Sequence, residues 1–187
     1  MNGDALSDLL LAGVGLFFAW RLMTQRPGLA IGMGLVGLAA GFGVLRFSGF
    51  EVMLGPHRFA SLLAGCAGLP LIAASIRWPG ESLATRVSAA AYFAMIVGAL
   101  GVVLVAVAQF HWWSQLVPAA CALLLLLTAL QRRFPLAILG SGLLIGGFIV
   151  SATGFVVAPL NSIQLLHILL ASGLGLLALN VQPESNS

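Results

Sequence analysis

The chain has 187 residues, of which 60% are hydrophobic and only 7% charged, whereas an ordinary soluble domain is roughly 25% charged. So few charged side chains cannot cover a water-exposed surface, and most of the surface must therefore face lipid. The formal net charge of +3 comes from arginines in the gaps between apolar runs, so we expect no nucleic-acid partner. The sequence contains no lysine, which excludes a retinal Schiff base.

Seven apolar runs follow one another, and most approach the roughly 20 residues that a helix needs to cross a bilayer core about 30 Å thick. We therefore predict an all-α integral membrane protein, with a single transmembrane domain over residues 1–187 and a polar C-terminal tail at 182–187. The predicted helices cover residues 6–23, 29–45, 59–76, 87–108, 116–130, 136–157 and 163–181. Pro70 in the third run predicts a kink, because proline removes a backbone hydrogen bond.

The arginines predict the orientation of these helices. Two arginines, Arg46 and Arg58, lie in the loop between the second and third runs. The other six flank the loops after the first, third and fifth runs: Arg21, Arg26, Arg77, Arg86, Arg132 and Arg133. The positive-inside rule then predicts an N-terminus outside and a C-terminus in the cytoplasm. Arginine without lysine, in a chain rich in Ala, Leu and Gly, is typical of a GC-rich bacterium, and we expect a multi-pass protein of the bacterial inner membrane.

Two parts of the sequence resemble each other, which predicts a parallel internal repeat of three helices, with the fourth helix as the inverting linker. The segments Arg26-Pro-Gly-Leu-Ala and Arg133-Phe-Pro-Leu-Ala precede Gly-rich helices that end near Ser48-Gly-Phe and Thr153-Gly-Phe. The third helices carry Phe59-Ala-Ser-Leu-Leu-Ala-Gly and Ile168-Leu-Leu-Ala-Ser-Gly, which makes His57 and His167 roughly equivalent. The alternative is that Leu/Ala/Gly-rich helices resemble one another by composition alone.

Five ionisable residues gather at the predicted outer interface: Asp8, Glu51, His57, His111 and His167. A charged group at the centre of a membrane helix costs about 2.5–3.5 kcal/mol on insertion scales, so such groups need partners. In one interpretation they are solvated or structural, and His167 pairs inside the bundle with Asn161, Ser162 or Gln164. In the other, Asp8, His57, His111 and His167 line a cavity and bind Zn²⁺ or a similar metal.

The two outer arginines, Arg46 and Arg58, flank Glu51. They can form ion pairs with Glu51, which is the commoner arrangement. They can also bind the phosphate of a lipid headgroup, and in that case they are the expected clamp.

Three classes of function follow. The first is a ligand-binding or accessory membrane subunit, with lipid and other membrane subunits as its expected partners. The second is a zinc-dependent intramembrane hydrolase that acts on lipid through Asp8, His57, His111 and His167. The third is a small-solute carrier with a midplane site near Pro70.

Two known architectures are similar to this plan. Seven helices with an aspartate and three histidines are similar to the alkaline ceramidase and adiponectin-receptor type of membrane hydrolase. Those proteins carry a His-x-x-x-His pair on the last helix, whereas Ile163 and Ala171 flank His167 here. The three-one-three plan looks like that of sugar-exporting transporters, but their Pro-Gln loop signature is absent. Both are similarities of architecture, and architecture alone does not carry function.

Overall fold

The structure is a computed structural model that describes residues 2–181, so the predicted polar tail at 182–187 lies outside the described residues. The described residues form helices joined by loops, with no β-strand among them, and seven helices are long and apolar enough to cross a membrane. These helices are α1 (Gly3–Leu22), α2 (Pro27–Phe47), α3 (Glu51–Arg77), α4 (Val87–Val107), α5 (Trp113–Arg132), α6 (Pro135–Thr153) and α7 (Ser162–Leu179). A single helical turn, Ser82–Thr85, connects α3 to α4.

Each of the seven predicted runs corresponds to one helix, but several helix ends differ from the prediction. The largest difference is at α3, which begins at Glu51 instead of residue 59. The prediction missed this start because the first turns of the helix contain the polar residues His57 and Arg58. Helix α6 ends at Thr153 and not at residue 157. Gly154 follows with a φ of +66°, and a glycine in this left-handed conformation commonly ends a helix.

Helix α3 is interrupted by a π-helical turn, Ala64–Gly68, just before Pro70. Pro70 has no N–H and cannot donate to the carbonyl of Cys66, and the wider turn accommodates this missing hydrogen bond. The disturbance predicted at Pro70 therefore takes the form of a π turn. Cys66 lies in this turn, buried against Gly101 of α4, where a Cβ would come within 2.6 Å of the cysteine Cβ.

Six of the seven helices form a closed ring. Helix α1 packs against α2 and α7, α7 against α6, α6 against α5, α5 against α3, and α3 against α2. Helix α4 lies outside this ring, in contact with α3 and α2. Only 17% of the apolar window of α4 is buried, against 50% to 56% for α1, α2 and α3. The ring therefore encloses the core, and α4 presents most of its surface to its surroundings.

The middle of the ring is filled by apolar side chains from four helices. Met33 of α2, Ile72 of α3, Leu125 of α5 and Leu144 of α6 are each at most 1% exposed and belong to one core cluster. We refer to these four residues as the apolar layer. The space on either side of the apolar layer is less completely filled.

Candidate functional site

The N-termini of α1 and α7 are joined by hydrogen bonds between side chains. Asn2 caps α1, and Asn161 with Gln164 forms a capping box at the start of α7. Asp4 connects the two helices, because its Oδ1 accepts from Asn161 Nδ2 and from Gln164 Nε2, both at 2.8 Å. The first turns of the two helices are therefore held side by side.

One turn further into the bundle, Asp8 of α1 meets His167 of α7. Residues three or four positions apart lie on one face of a helix. Asp8 is four residues from Asp4, and His167 is three residues from Gln164, so each pair shares a face of its helix. The Asp8 Oδ1 and His167 Nδ1 atoms are 3.1 Å apart; the aspartate side chain is 1% exposed and the histidine side chain 13%. Ser7 Oγ lies 3.4 Å from the same Nδ1 and donates to the Asp4 carbonyl at 2.9 Å. An ionised Asp8 has no hydrogen to donate, so the hydrogen between the two groups is then carried by Nδ1.

The second carboxylate oxygen of Asp8 has no hydrogen-bond partner among the described residues. Asp8 Oδ2 is buried and makes no hydrogen bond with any described residue. It lies against Gly43 of α2, where a Cβ would collide with it, so the absence of a side chain at Gly43 leaves room for the carboxylate. A buried acceptor without a hydrogen bond is unfavourable by roughly 1–3 kcal/mol, and by more when it is charged. Asp8 Oδ2 is therefore a buried acceptor with no donor among the described residues.

Asp8 and His167 line a cavity of about 280 Å³ in the same half of the bundle, which we call the Asp8 cavity. Every helix of the ring contributes to its wall, and α4 does not. Its polar lining residues are Asp8, His57, Ser61, Ser114 and His167. Its apolar lining residues include Leu11, Val36, Leu69, Phe148, Leu170 and Leu174. The cavity is thus mostly apolar with a few polar groups, as sites for small molecules usually are.

His57 of α3 is fixed by the neighbouring helix. Its Nδ1 donates to the carbonyl of Ala39 in α2 at 3.1 Å, and its ring meets Phe47 edge-on with the ring centroids 6.0 Å apart. When the ring is neutral and Nδ1 carries the hydrogen, Nε2 is an acceptor. His57 therefore adds a second positioned imidazole to the cavity wall.

The predicted cluster is only partly brought together. Asp8, His57 and His167 line one cavity, whereas His111 is exposed in the loop between α4 and α5, and Glu51 is exposed at the start of α3. Neither His111 nor Glu51 lines the Asp8 cavity. Over residues 2–181 there is no group of three or more His, Cys, Asp or Glu side chains that could hold a metal ion. Zinc binding by Asp8, His57, His111 and His167 stays a prediction, and it requires His111 to move.

Arg46 and Arg58 lie at the same end of the bundle. The Arg46 guanidinium lies over the Phe47 ring, 4.7 Å from its centroid, and Arg58 is exposed. In the described part of the chain neither arginine forms an ion pair with Glu51. Binding of a lipid headgroup by Arg46 and Arg58 stays a prediction.

Sequence reasoning missed Asp4 and Ser114 as members of this region. Asp4 could have been found from its spacing, because Asp4 and Asp8 share one face of α1 as Asn161, Gln164 and His167 share one face of α7. Ser114 carried no such signal, since its place in the cavity wall follows from the packing of α5 in the ring.

A second cavity, of about 520 Å³, lies at the opposite end of the ring. Its polar lining residues are Arg26, Ser75, Arg132 and Asn180, and we call it the arginine cavity. The apolar layer lies between the two cavities. On α7 they approach most closely, because Leu174 lines the Asp8 cavity and Leu177 lines the arginine cavity.

No family model, curated protein or solved structure matches the chain. The class of the protein therefore rests on its fold and its site. It is an all-helical protein with seven helices long and apolar enough to cross a membrane. Six of them surround a buried Asp–His pair beside a mostly apolar cavity.

Proposed function

We propose that this is a membrane protein that binds a small, mostly apolar molecule carrying an amine or another strong hydrogen-bond donor in the Asp8 cavity. The observation that carries the proposal is the buried Asp8 Oδ2, which has no partner among the described residues. The apolar wall suits an apolar body, and a free carboxylate oxygen accepts a hydrogen bond from a cationic or neutral donor. A ligand that donates a hydrogen bond to Asp8 Oδ2 removes the free-energy cost of this buried oxygen without a partner, and this gain contributes to the binding energy.

The proposal includes the membrane setting. We propose an N-terminus outside and a C-terminus inside, in a bacterial inner membrane, which makes the Asp8 cavity face the outer side. Six arginines at the opposite end support this orientation through the positive-inside rule. The partners are membrane lipid and, through the exposed surface of α4, other membrane subunits.

We further propose that α1–α3 and α5–α7 are parallel repeats. The order of the helices in the ring supports this, because replacing α1, α2 and α3 by α5, α6 and α7 maps each main contact of the ring onto another. The glycines support it too. A Cβ at Gly32 of α2 would lie 2.8 Å from the carbonyl oxygen of Gly68 in α3, and a Cβ at Gly140 of α6 would lie 2.8 Å from that of Gly173 in α7. Each half therefore has one close crossing of glycines between its second and third helices.

These glycine crossings favour a different register from the one suggested by the sequence. They align Gly68-Leu-Pro-Leu-Ile-Ala of α3 with Gly173-Leu-Gly-Leu-Leu-Ala of α7. The sequence comparison instead aligns the α3 segment that ends at Gly65 with the α7 segment that ends at Gly173. His57 lies much farther from Gly68 than His167 lies from Gly173. In this register the two histidines are not equivalent, and only one half supplies the partner of Asp8.

A binding experiment with matched variants tests the proposal. n-Hexylamine is titrated into the detergent-purified protein, with 1-hexanol as the uncharged ligand, and binding is followed by calorimetry and by the melting temperature. We expect hexylammonium to bind the wild type and Asp4→Asn, and to bind Asp8→Asn at least about tenfold more weakly, because the charge-assisted hydrogen bond is lost. Asp4 is the matched control, since it is an acid one turn away that does not line the cavity. Equal affinity in the wild type and Asp8→Asn would exclude this ligand class.

A carrier is the second candidate, because two cavities lie at opposite ends of one ring with the apolar layer between them. Leu174 and Leu177 on α7 are separated by less than one turn, a rise of about 5 Å. A small relative movement of two repeats around a layer this thin would connect the site to either side. The test is a charge-transfer current in proteoliposomes on addition of butylguanidinium, which stays charged near neutral pH and has N–H donors for Asp8. A current in the wild type that is lost in Asp8→Asn favours transport, whereas binding without a current favours a receptor or accessory subunit.

The zinc-dependent lipid hydrolase is the remaining alternative. It requires about one metal ion per chain, held through His167. Metal analysis by mass spectrometry on the wild type and His167→Ala separates it from the proposal. A stoichiometric metal that is lost in the variant would favour the hydrolase.

A further inference from the structure

We infer that the arginine cavity binds a phosphate group, which belongs either to a lipid headgroup or to a free phosphate compound. Three observations at that end of the ring carry the inference: the anchoring of two arginines, the uncapped starts of two helices, and a buried serine hydroxyl without a partner. The inference does not depend on the function proposed for the Asp8 cavity.

The two arginines are held in place by backbone carbonyls. Arg132 of α5 donates from Nη1 to Ile76 O at 3.0 Å and from Nη2 to Arg77 O at 2.8 Å, and so covers the C-terminus of α3. Arg26 donates from Nη1 to Pro79 O at 2.9 Å. A guanidinium has five N–H donors, so the two bonds of Arg132 leave donors for a ligand. Among the described residues that line the cavity there is no Asp or Glu.

The starts of α2 and α6 face the same cavity. Neither N-cap residue, Arg26 for α2 and Phe134 for α6, caps its helix through a side-chain hydrogen bond. Leu29 in the first turn of α2 and Ala137 in the first turn of α6 both line the cavity. Backbone N–H groups in the first turn of a helix have no partner within the helix, and they commonly bind phosphate.

Ser75 of α3 provides the independent sign of a missing ligand. It is 3% exposed and lines the cavity, and its Oγ makes no hydrogen bond with any described residue. The hydroxyl lies at the start of α2, where a Cβ at Gly28 would come within 2.5 Å of Oγ. A buried hydroxyl in a native protein nearly always has a partner. A phosphate oxygen would accept its hydrogen at the point where Arg132, Arg26 and the start of α2 converge.

The cavity also suits the size of such a ligand. Its volume of about 520 Å³ exceeds that of a phosphate group, and its remaining wall includes the apolar residues Leu136, Leu177 and Leu179. An esterified phosphate with an apolar substituent and inorganic phosphate both fit this description. The experiment therefore has one arm for each source.

In the first arm, the full chain in detergent is titrated with sodium phosphate, and sodium chloride of equal ionic strength is the reference. In the second arm, it is titrated with dihexanoyl phosphatidic acid, and dihexanoyl glycerol is the phosphate-free control. Affinity and melting temperature are compared for the wild type, Ser75→Ala, Arg132→Gln and Arg133→Gln. Arg133 is the matched control, because it is the adjacent arginine, is exposed and does not line the cavity. We expect binding about tenfold weaker in Ser75→Ala, at least as weak in Arg132→Gln, and unchanged in Arg133→Gln.

Each outcome decides a point. Stabilisation by both ligands identifies a site for any phosphate group, and stabilisation by phosphatidic acid alone identifies the lipid headgroup. If neither phosphate nor phosphatidic acid binds, or if both bind Ser75→Ala as tightly as Arg133→Gln, the inference is wrong. If Arg132→Gln does not fold because the C-terminus of α3 loses these hydrogen bonds, Ser75→Ala still tests the inference. Its hydroxyl has no hydrogen-bond partner among the described residues, so the ligand-free melting temperature of this variant should not fall.

Discussion

The two ends of the ring hold their polar groups in different ways. At the Asp8 cavity, side chains on α1 pair with side chains on α7, as in Asp4 with Gln164 and Asp8 with His167. At the arginine cavity, Arg132 donates to backbone carbonyls at the end of α3, and Gly28 at the start of α2 packs directly against the backbone of Leu83. Removing a side chain at the first end therefore strands a buried partner, whereas at the second end the packing of backbones carries more of the stability. The two ends should consequently respond to different substitutions.

The largest effect should follow from removing one member of the buried pair. His167→Ala leaves Asp8 buried without its partner, and breaking a buried pair in this way commonly destabilises a protein by about 3–5 kcal/mol. The free energy of unfolding in mixed micelles measures it. His111→Ala is the control, because His111 is exposed outside the cavity, and its stability should match the wild type. Equal stability of the two variants would mean that the pair does not hold α1 against α7.

An intermediate effect should follow from adding methyl groups at the glycine crossings. A Cβ at Gly32 or Gly140 would come within 2.8 Å of a facing carbonyl oxygen, so Gly32→Ala and Gly140→Ala should each destabilise by about 1–3 kcal/mol. Gly142→Ala is the matched control, because a Cβ there meets no atom of the described residues within 4 Å. It should be neutral or slightly stabilising, since alanine has the higher helix propensity.

The two crossing variants also test the repeat. Similar losses for Gly32→Ala and Gly140→Ala are expected if the two crossings are equivalent. If only one of the two variants loses stability, the crossings are not equivalent, and the two halves resemble each other only in composition.

The sequence was sufficient to predict seven apolar helices, because length and hydropathy alone determine whether a segment can cross a bilayer. It was not sufficient to predict the ring. Helices rich in Leu, Ala and Gly all offer similar surfaces, and which pairs cross closely depends on the positions of single glycines such as Gly32 and Gly140. The start of α3 was missed because charged residues in its first turns lower the local hydropathy.

Only part of the site could be predicted, for a related reason. A histidine one turn inside α7 needs a partner, and the sequence therefore singled out both His167 and Asp8. Their pairing depends on contact between the first and last helices, which are far apart in the chain. His111 was grouped with them because it lies at a similar depth, but depth does not show which helices face the cavity. The arginine cavity was missed altogether, since Ser75 becomes unusual only when its surroundings are known.

The smallest expected effect concerns Gly43, and it separates binding from stability. A methyl group at Gly43 would collide with Asp8 Oδ2, so Gly43→Ala should displace the carboxylate oxygen that we propose as the ligand acceptor. The gain in helix propensity, about 0.5–1 kcal/mol, opposes the cost of this shift, and the net change in stability should be small. Hexylammonium binding to Gly43→Ala should weaken several-fold in calorimetry. The control Gly41→Ala should bind as the wild type does, because a Cβ there meets no atom of the described part of the chain within 4 Å. Unchanged binding in Gly43→Ala would show that the ligand does not depend on this oxygen, and the acceptor would then have to be sought at His57 or His167.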